Sequence, residues 1–176
     1  MFLLPLMAPL ALAASGQPTL SVGLHALSFS LPAVNEDAAM EAIGRTQVGL
    51  GDLVGVEPNH PSKAVVLHFF DREHGGEDLG GLERLQKRYG GRGLQVVAIS
   101  TDEGDVGAMS SWLEGMKLGY PVLRDNHHVV VDRYGIDKLP LTVVVDRNGY
   151  VFAIGQPQGD AIETELQAEI EPLLEK

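Results

Sequence analysis

The chain contains no cysteine in its 176 residues. That absence excludes disulfides, Cys-ligated zinc, iron–sulfur clusters, thiolate nucleophiles and lipidation of an N-terminal cysteine. Positive charge is also scarce: 13 Lys+Arg stand against 24 Asp+Glu, a net charge of −11. Phosphate backbones and anionic lipid surfaces are held by clustered Lys and Arg, so neither nucleic acid nor a stable membrane anchor is expected. Long apolar runs are missing too. The longest, within Met1 to Ala14 (MFLLPLMAPLALAA), falls short of the ~20 residues a membrane-spanning helix needs. It ends in Ala11-Leu12-Ala13, a small-x-small pattern suited to signal peptidase. Residues 1–13 are therefore read as an export signal, 14–24 as a flexible mature N-terminus and 25–176 as one domain.

What is present has the balance of a globular protein: 44% apolar and 21% charged residues. A chain near 150 residues buries roughly 70% of its unfolded surface, enough for one full core. Leu27 to Leu31 alternates as a half-buried strand does, and Thr46 to Leu50 is a weak strand inside a stretch otherwise read as loop. Ala64 to Phe70, Leu94 to Ser100 and Leu141 to Val145 are nearly continuous apolar runs, as expected of strands covered on both faces. Leu79, Leu82, Leu85 and Tyr89 have helical spacing ending at Gly90-Gly91, and Met109, Trp112, Leu113 and Met116 mark a second helix. A short helix follows over Val129 to Tyr134, closed by Gly135. Asp146 to Gly149 is a turn carrying the Asn-Gly hairpin signal, after which Tyr150 to Ile154 returns antiparallel. The last helix opens with Asp160 and Glu163 in capping-box positions, and Pro172 should kink or end it. The order predicts an α/β fold with a mixed central sheet, parallel in its core and antiparallel at its C-terminal hairpin, flanked by helices.

The succession LSFSLP, KAVVLHFF, GGLERLQKRYGGRGLQVVAISTDE, GYPVLRD and YGIDKLPLTVVVDRNGYV resembles the thioredoxin-like redoxins. It is most similar to the exported thiol–disulfide oxidoreductases and the alkyl hydroperoxide reductase/thiol-specific antioxidant group. The resemblance implies a thioredoxin-like fold, and a cis proline at Pro140 facing the active site. It also implies reactive cysteines where the first central strand meets the first long helix, since a helix N-terminus stabilises a thiolate. In this chain that junction reads Asp71-Arg72-Glu73-His74-Gly75-Gly76-Glu77-Asp78. Counting from the helix puts Arg72 and Gly75 in the cysteine positions; counting from the strand puts His74 and Glu77 there. Neither register supplies sulfur.

Other chemistry at the junction would need other groups. His74 and Glu77 are the candidate metal ligands, with His60 as a remote third, but a metal site normally takes three or four ligands. A solvated acidic helix start explains the same residues, and no cofactor is expected. His68 is read as a core histidine, and Asp125-Asn126-His127-His128 as a solvated turn away from the active-site end. In active relatives the cis-proline surface holds an extended segment by backbone hydrogen bonds. Glu73, His74, Leu139, Pro140 and Leu141 are accordingly the candidate groove. The expected function is binding of a peptide or protein partner, a basic one by charge, at that groove. The alternative is redoxin-family antioxidant or oxidoreductase activity through a non-cysteine centre.

Overall fold

A computed structural model describes residues 20–175. The leader-like stretch and most of the expected mature N-terminus lie outside those residues. Seven strands and five α-helices follow in the order β1 (Ser30–Pro32), α1 (Glu36–Ile43), β2 (Gln47–Gly49), β3 (Ala64–Phe70), α2 (Leu79–Tyr89), β4 (Leu94–Ser100), α3 (Val106–Glu114), β5 (Val122–Arg124), α4 (Val129–Tyr134), β6 (Leu141–Asp146), β7 (Val151–Gly155) and α5 (Ala161–Leu174). The main sheet runs β5-β4-β3-β6-β7, while β1 and β2 pair separately. β3 is parallel to β4 and antiparallel to β6, and β6 pairs antiparallel with β7, which is the mixed sheet read from the sequence.

The continuous apolar runs are buried because helices cover both faces of the sheet. Every residue of β3 and of β4 is buried. On one face, Ala64, Val66 and Phe70 pack with Leu79, Leu82 and Leu85 of α2, Met109 and Leu113 of α3, and Ile162, Leu166 and Ile170 of α5. On the other, Val65, Leu67 and Phe69 pack with Ala39 and Ile43 of α1 and Val130, Val131 and Tyr134 of α4. Two helical layers thus enclose one sheet, and the C-terminal end of β3 meets the start of α2 at one rim.

Three local readings need correction. The stretch after Pro32 is not only loop: it contains α1, opened by Glu36 and Asp37 and closed by Gly44 in a left-handed conformation. α2 ends at Tyr89, directly before Gly90-Gly91 as read, and a separate 3₁₀ turn over Gly90–Arg92 follows, closed by Gly93 at φ +105°. The capping box of α5 does not form. Asp160 makes no side-chain cap bond, and Glu163 instead accepts from Arg84 Nε at 2.7 Å, tying α5 to α2. Pro172 does not end α5, which runs on past it to Leu174.

Candidate functional site

The peptide bond Leu139–Pro140 is cis. It immediately precedes β6, so it delivers Pro140 to the rim where β3 ends, since β6 and β3 are neighbours. The other side of that rim is the loop Asp71–Gly76. Its tightest point is Gly75, at φ +89°, where an added Cβ would stand 2.6 Å from Pro140 Cβ and 3.1 Å from His68 Nε2. Only glycine fits, for both reasons: the backbone conformation is left-handed and the space is taken. The candidate positions Gly75 and Pro140 therefore touch.

The rest of the loop is held by one carboxylate. Asp71 Oδ1 accepts from the backbone N–H of Glu73 (2.8 Å) and of His74 (2.7 Å). The same carboxylate lies 2.9 Å from Nδ1 of the His74 ring. His74 is more than half exposed. Arg72 pairs with Asp102 Oδ1 at 3.3 Å, which carries the loop across to the end of β4.

Between the loop and Leu139 lies a cleft of about 580 Å³ lined by Asp71, Arg72, Glu73, Thr101, Asp102, Glu103, Trp112, His128 and Leu139. Four carboxylates thus face one arginine. Trp112 stacks on Phe70, with ring centroids 6.4 Å apart, and its edge lies 3.2 Å from where a Cβ on Gly76 would be. The floor is therefore aromatic and the rim acidic.

Of the groove residues expected from sequence, Glu73 and Leu139 line the cleft. Pro140 is buried beneath it, Leu141 begins β6 half-buried, and His74 sits exposed on the loop outside the lining. His74 and Glu77 make no ion pair or hydrogen bond with one another, and the His74 partner is Asp71. Among the described residues no group of three or more His, Asp or Glu could hold a metal ion. His60 lies in the loop before β3, its backbone N–H donating to the Asp52 carbonyl.

Two readings of this region are overturned. His128 does not lie away from the active-site end; it lines the cleft, with Nε2 2.9 Å from the Thr101 carbonyl and 3.9 Å from Glu103. The turn is brought there by Asp125, a buried carboxylate whose Oδ2 accepts from the backbone N–H of Val130 and Val131 and so starts α4 at the rim. A buried side chain turned back onto a helix N-terminus fixes the direction of the preceding turn. The helix start at Glu77 and Asp78 is not uniformly solvated either. Glu77 is exposed, but the Asp78 side chain has no solvent contact.

Beneath the loop, the core reading of His68 holds, and its surroundings are polar. His68 is fully buried, with Nδ1 3.0 Å from Thr142 Oγ1 and Nε2 3.3 Å from the Gly75 carbonyl. A carbonyl only accepts, so Nε2 carries the proton and Nδ1 accepts from the threonine hydroxyl. Burial pushes the His68 pKa down to about 4, opposed by the Gly75 carbonyl and by Glu77. Burial raises that of Asp78, with the Gly159 N–H bond lowering it and Glu77 raising it further.

A family model for AhpC/TSA matches residues 22–154. The thiol-disulfide oxidoreductase ResA of Bacillus anthracis is 26% identical over 88 residues, 49% of this chain and 50% of that protein. ResA of Bacillus subtilis (strain 168) is 24% identical over 142 residues, 80% of this chain and 70% of that one. The chain spans about half the length of the first curated relatives it matches. A crystal structure from Chlorobium tepidum, assigned as a thiol:disulfide interchange protein DsbE, has a TM-score of 0.73 at 24% identity, covering 89% of this chain and 99% of that one. A secreted disulfide oxidoreductase of Mycobacterium tuberculosis has a TM-score of 0.61 at 20% identity, covering 82% and 95%. These two structures share its thioredoxin-like fold. Matched over most of its length, this cysteine-free chain belongs to the AhpC/TSA family of thioredoxin-like redoxins.

Proposed function

We propose that the protein acts outside the cytoplasm as a redox-inert binding module, holding an extended segment of a basic peptide or protein partner against the Leu139–Pro140 side of the cleft. One observation carries this reading: the cis-proline wall, the aromatic floor and the cleft are all present, in a chain without a sulfur nucleophile. Thiol exchange needs a thiolate, so relatives named as oxidoreductases lend the fold but not their reaction. Charge supports the class of partner. Asp71, Glu73, Asp102 and Glu103 surround a single Arg72 already paired with Asp102, so a cationic side chain gains attraction and an acidic one is repelled. The apolar Met1–Ala14 segment with its small-x-small end supports export.

The test is site-specific photocrosslinking with an unstructured, lysine-rich decapeptide as the probe. A photoreactive residue at Leu139 should capture the peptide, whereas one at Tyr150, beyond the turn that follows β6, should not. Equal capture at both positions would mean that net charge alone attracts the peptide, and the groove reading would fall.

A further inference from the structure

His68 Nε2 stands between two acceptors that it cannot satisfy in the same way. It lies 3.3 Å from the Gly75 carbonyl and 3.8 Å from Asp78 Oδ2. Asp78 is also the place where buried polarity is left open. Its Oδ1 accepts from the backbone N–H of Gly159, while Oδ2 is buried without a hydrogen-bond partner among the described residues. Buried polar atoms are nearly always paired, because an orphan carries the full penalty of its lost hydration. A carboxylate that remains ionised can relieve the orphan only by drawing on the Nε2 proton already given to Gly75. A protonated carboxyl can instead donate to Nε2, provided the ring gives up its proton there.

We propose that His68 and Asp78 form a proton-linked latch under the loop wall of the cleft. With Asp78 ionised, His68 is the Nε2–H tautomer and holds the Gly75 carbonyl. When Asp78 takes one proton from solvent, its Oδ2–H donates to Nε2. The ring stays neutral, its own proton moving from Nε2 to Nδ1, where it is donated to Thr142 Oγ1. Gly75 then keeps only the bond from the Asp78 N–H, 3.1 Å in the latched state. The loop Asp71–Gly76 loses its tie to β3 and loosens against Pro140, with Gly75, already in a glycine-only conformation, as the pivot.

The surroundings favour a neutral ring in both states. β4 presents only Ala98 beside His68, β6 presents Thr142, and Phe70 stacks on the imidazole with ring centroids 5.9 Å apart. From the turn before α2 the facing charge is Glu77, while Glu83 of α2 acts on Tyr120, as Asp78 does. The Tyr120 hydroxyl is committed to the Leu79 carbonyl at 2.9 Å. The Glu77 carboxylate assists protonation of the pair, and Asp78, with its orphan oxygen, is where the proton is best used. The effect on partner binding rests on the cleft being the binding site, but the latch itself is observable without any partner.

The decisive experiment is two-bond ¹⁵N–¹H NMR of the His68 ring in the full chain, titrated downward from neutral pH. The expected result is a change from the Nε2–H to the Nδ1–H pattern, in step with faster amide exchange at Gly75 and Gly76. Asp78→Asn, whose side-chain N–H donates at every pH, should show the Nδ1–H pattern already at neutral pH. Retention of the Nε2–H pattern throughout the folded range, or direct passage to the doubly protonated imidazolium, would overturn the latch. The wild-type titration decides the question even if Asp78→Asn does not fold.

Discussion

The two walls of the cleft differ in what holds them. The Leu139–Leu141 wall is shaped by backbone: a cis bond leads straight into β6, whose residues are locked in register with β3 from Leu141↔Phe69 to Asp146↔Ala64. The Asp71–Gly76 wall is held by polar side chains, with Asp71 capping the turn, Arg72 reaching Asp102 and His68 holding Gly75 from below. A redoxin scaffold without the cysteine nucleophile therefore still carries a cleft at this rim. The wall that would carry the reactive group is rebuilt around charge, while the wall that would position a bound chain is a consequence of sheet registry.

The strongest way to break the contrast is to act where the walls touch. Gly75→Ala should destabilise the protein by about 3 kcal/mol in urea denaturation, since it adds a clash with Pro140 to a left-handed backbone. Gly51→Ala, which meets nothing within 4 Å, should be near neutral. Equal effects would show that the two walls do not bear on each other.

Acid separates the walls next. His68 is held at about 4 against 6.5 for a free histidine, so the unfolded chain binds the proton more readily. Stability should fall as pH drops from 6.5 toward 4, by roughly 3 kcal/mol from this group. Asp78 works in the opposite sense: its raised pKa makes the folded state take up a proton first, so it offsets part of the loss as pH falls toward the ordinary carboxylate range. His68→Asn should flatten the slope below pH 6.5, and an unchanged slope would remove His68 from the account.

Smaller effects should fall on binding rather than on folding. Pro140→Ala should weaken the lysine-rich decapeptide about tenfold while leaving a cooperative unfolding transition. An intact affinity would place the bound segment elsewhere. Glu103→Lys, on the exposed acidic rim, should weaken the same peptide about threefold to tenfold and reduce the salt dependence of binding. An unchanged salt dependence would take Glu103 out of the contact.

The sequence reveals the sheet more readily than the site. β3 and β4 coincide with apolar runs because strands buried on both faces need no polar alternation, and Asn148-Gly149 marks the hairpin because its geometry is demanding. α1 is hidden because only Ala39 and Ile43 are buried, although Glu36, Asp37 and Gly44 were visible start and stop signals. Asn35, in the N-cap position, does not cap its helix: it bridges the Tyr120 carbonyl and the Val122 N–H. At the site, Leu139, Pro140 and Glu73 follow from the resemblance, but Arg72–Asp102, His128 at the rim and Asp78 beneath His68 are long-range pairings. A local pattern cannot report them. The Asp125 bonds to Val130 and Val131 are the one local clue that could have turned His128 toward the cleft.

Trp112 gives the most direct measurement, because it is the single tryptophan of the chain and it lines the cleft. Its fluorescence should change saturably on titration with the lysine-rich decapeptide, much less with a glutamate-rich one, and about tenfold more weakly in Pro140→Ala. No saturable change, or an equal response to both peptides, would contradict a cleft that binds a basic segment.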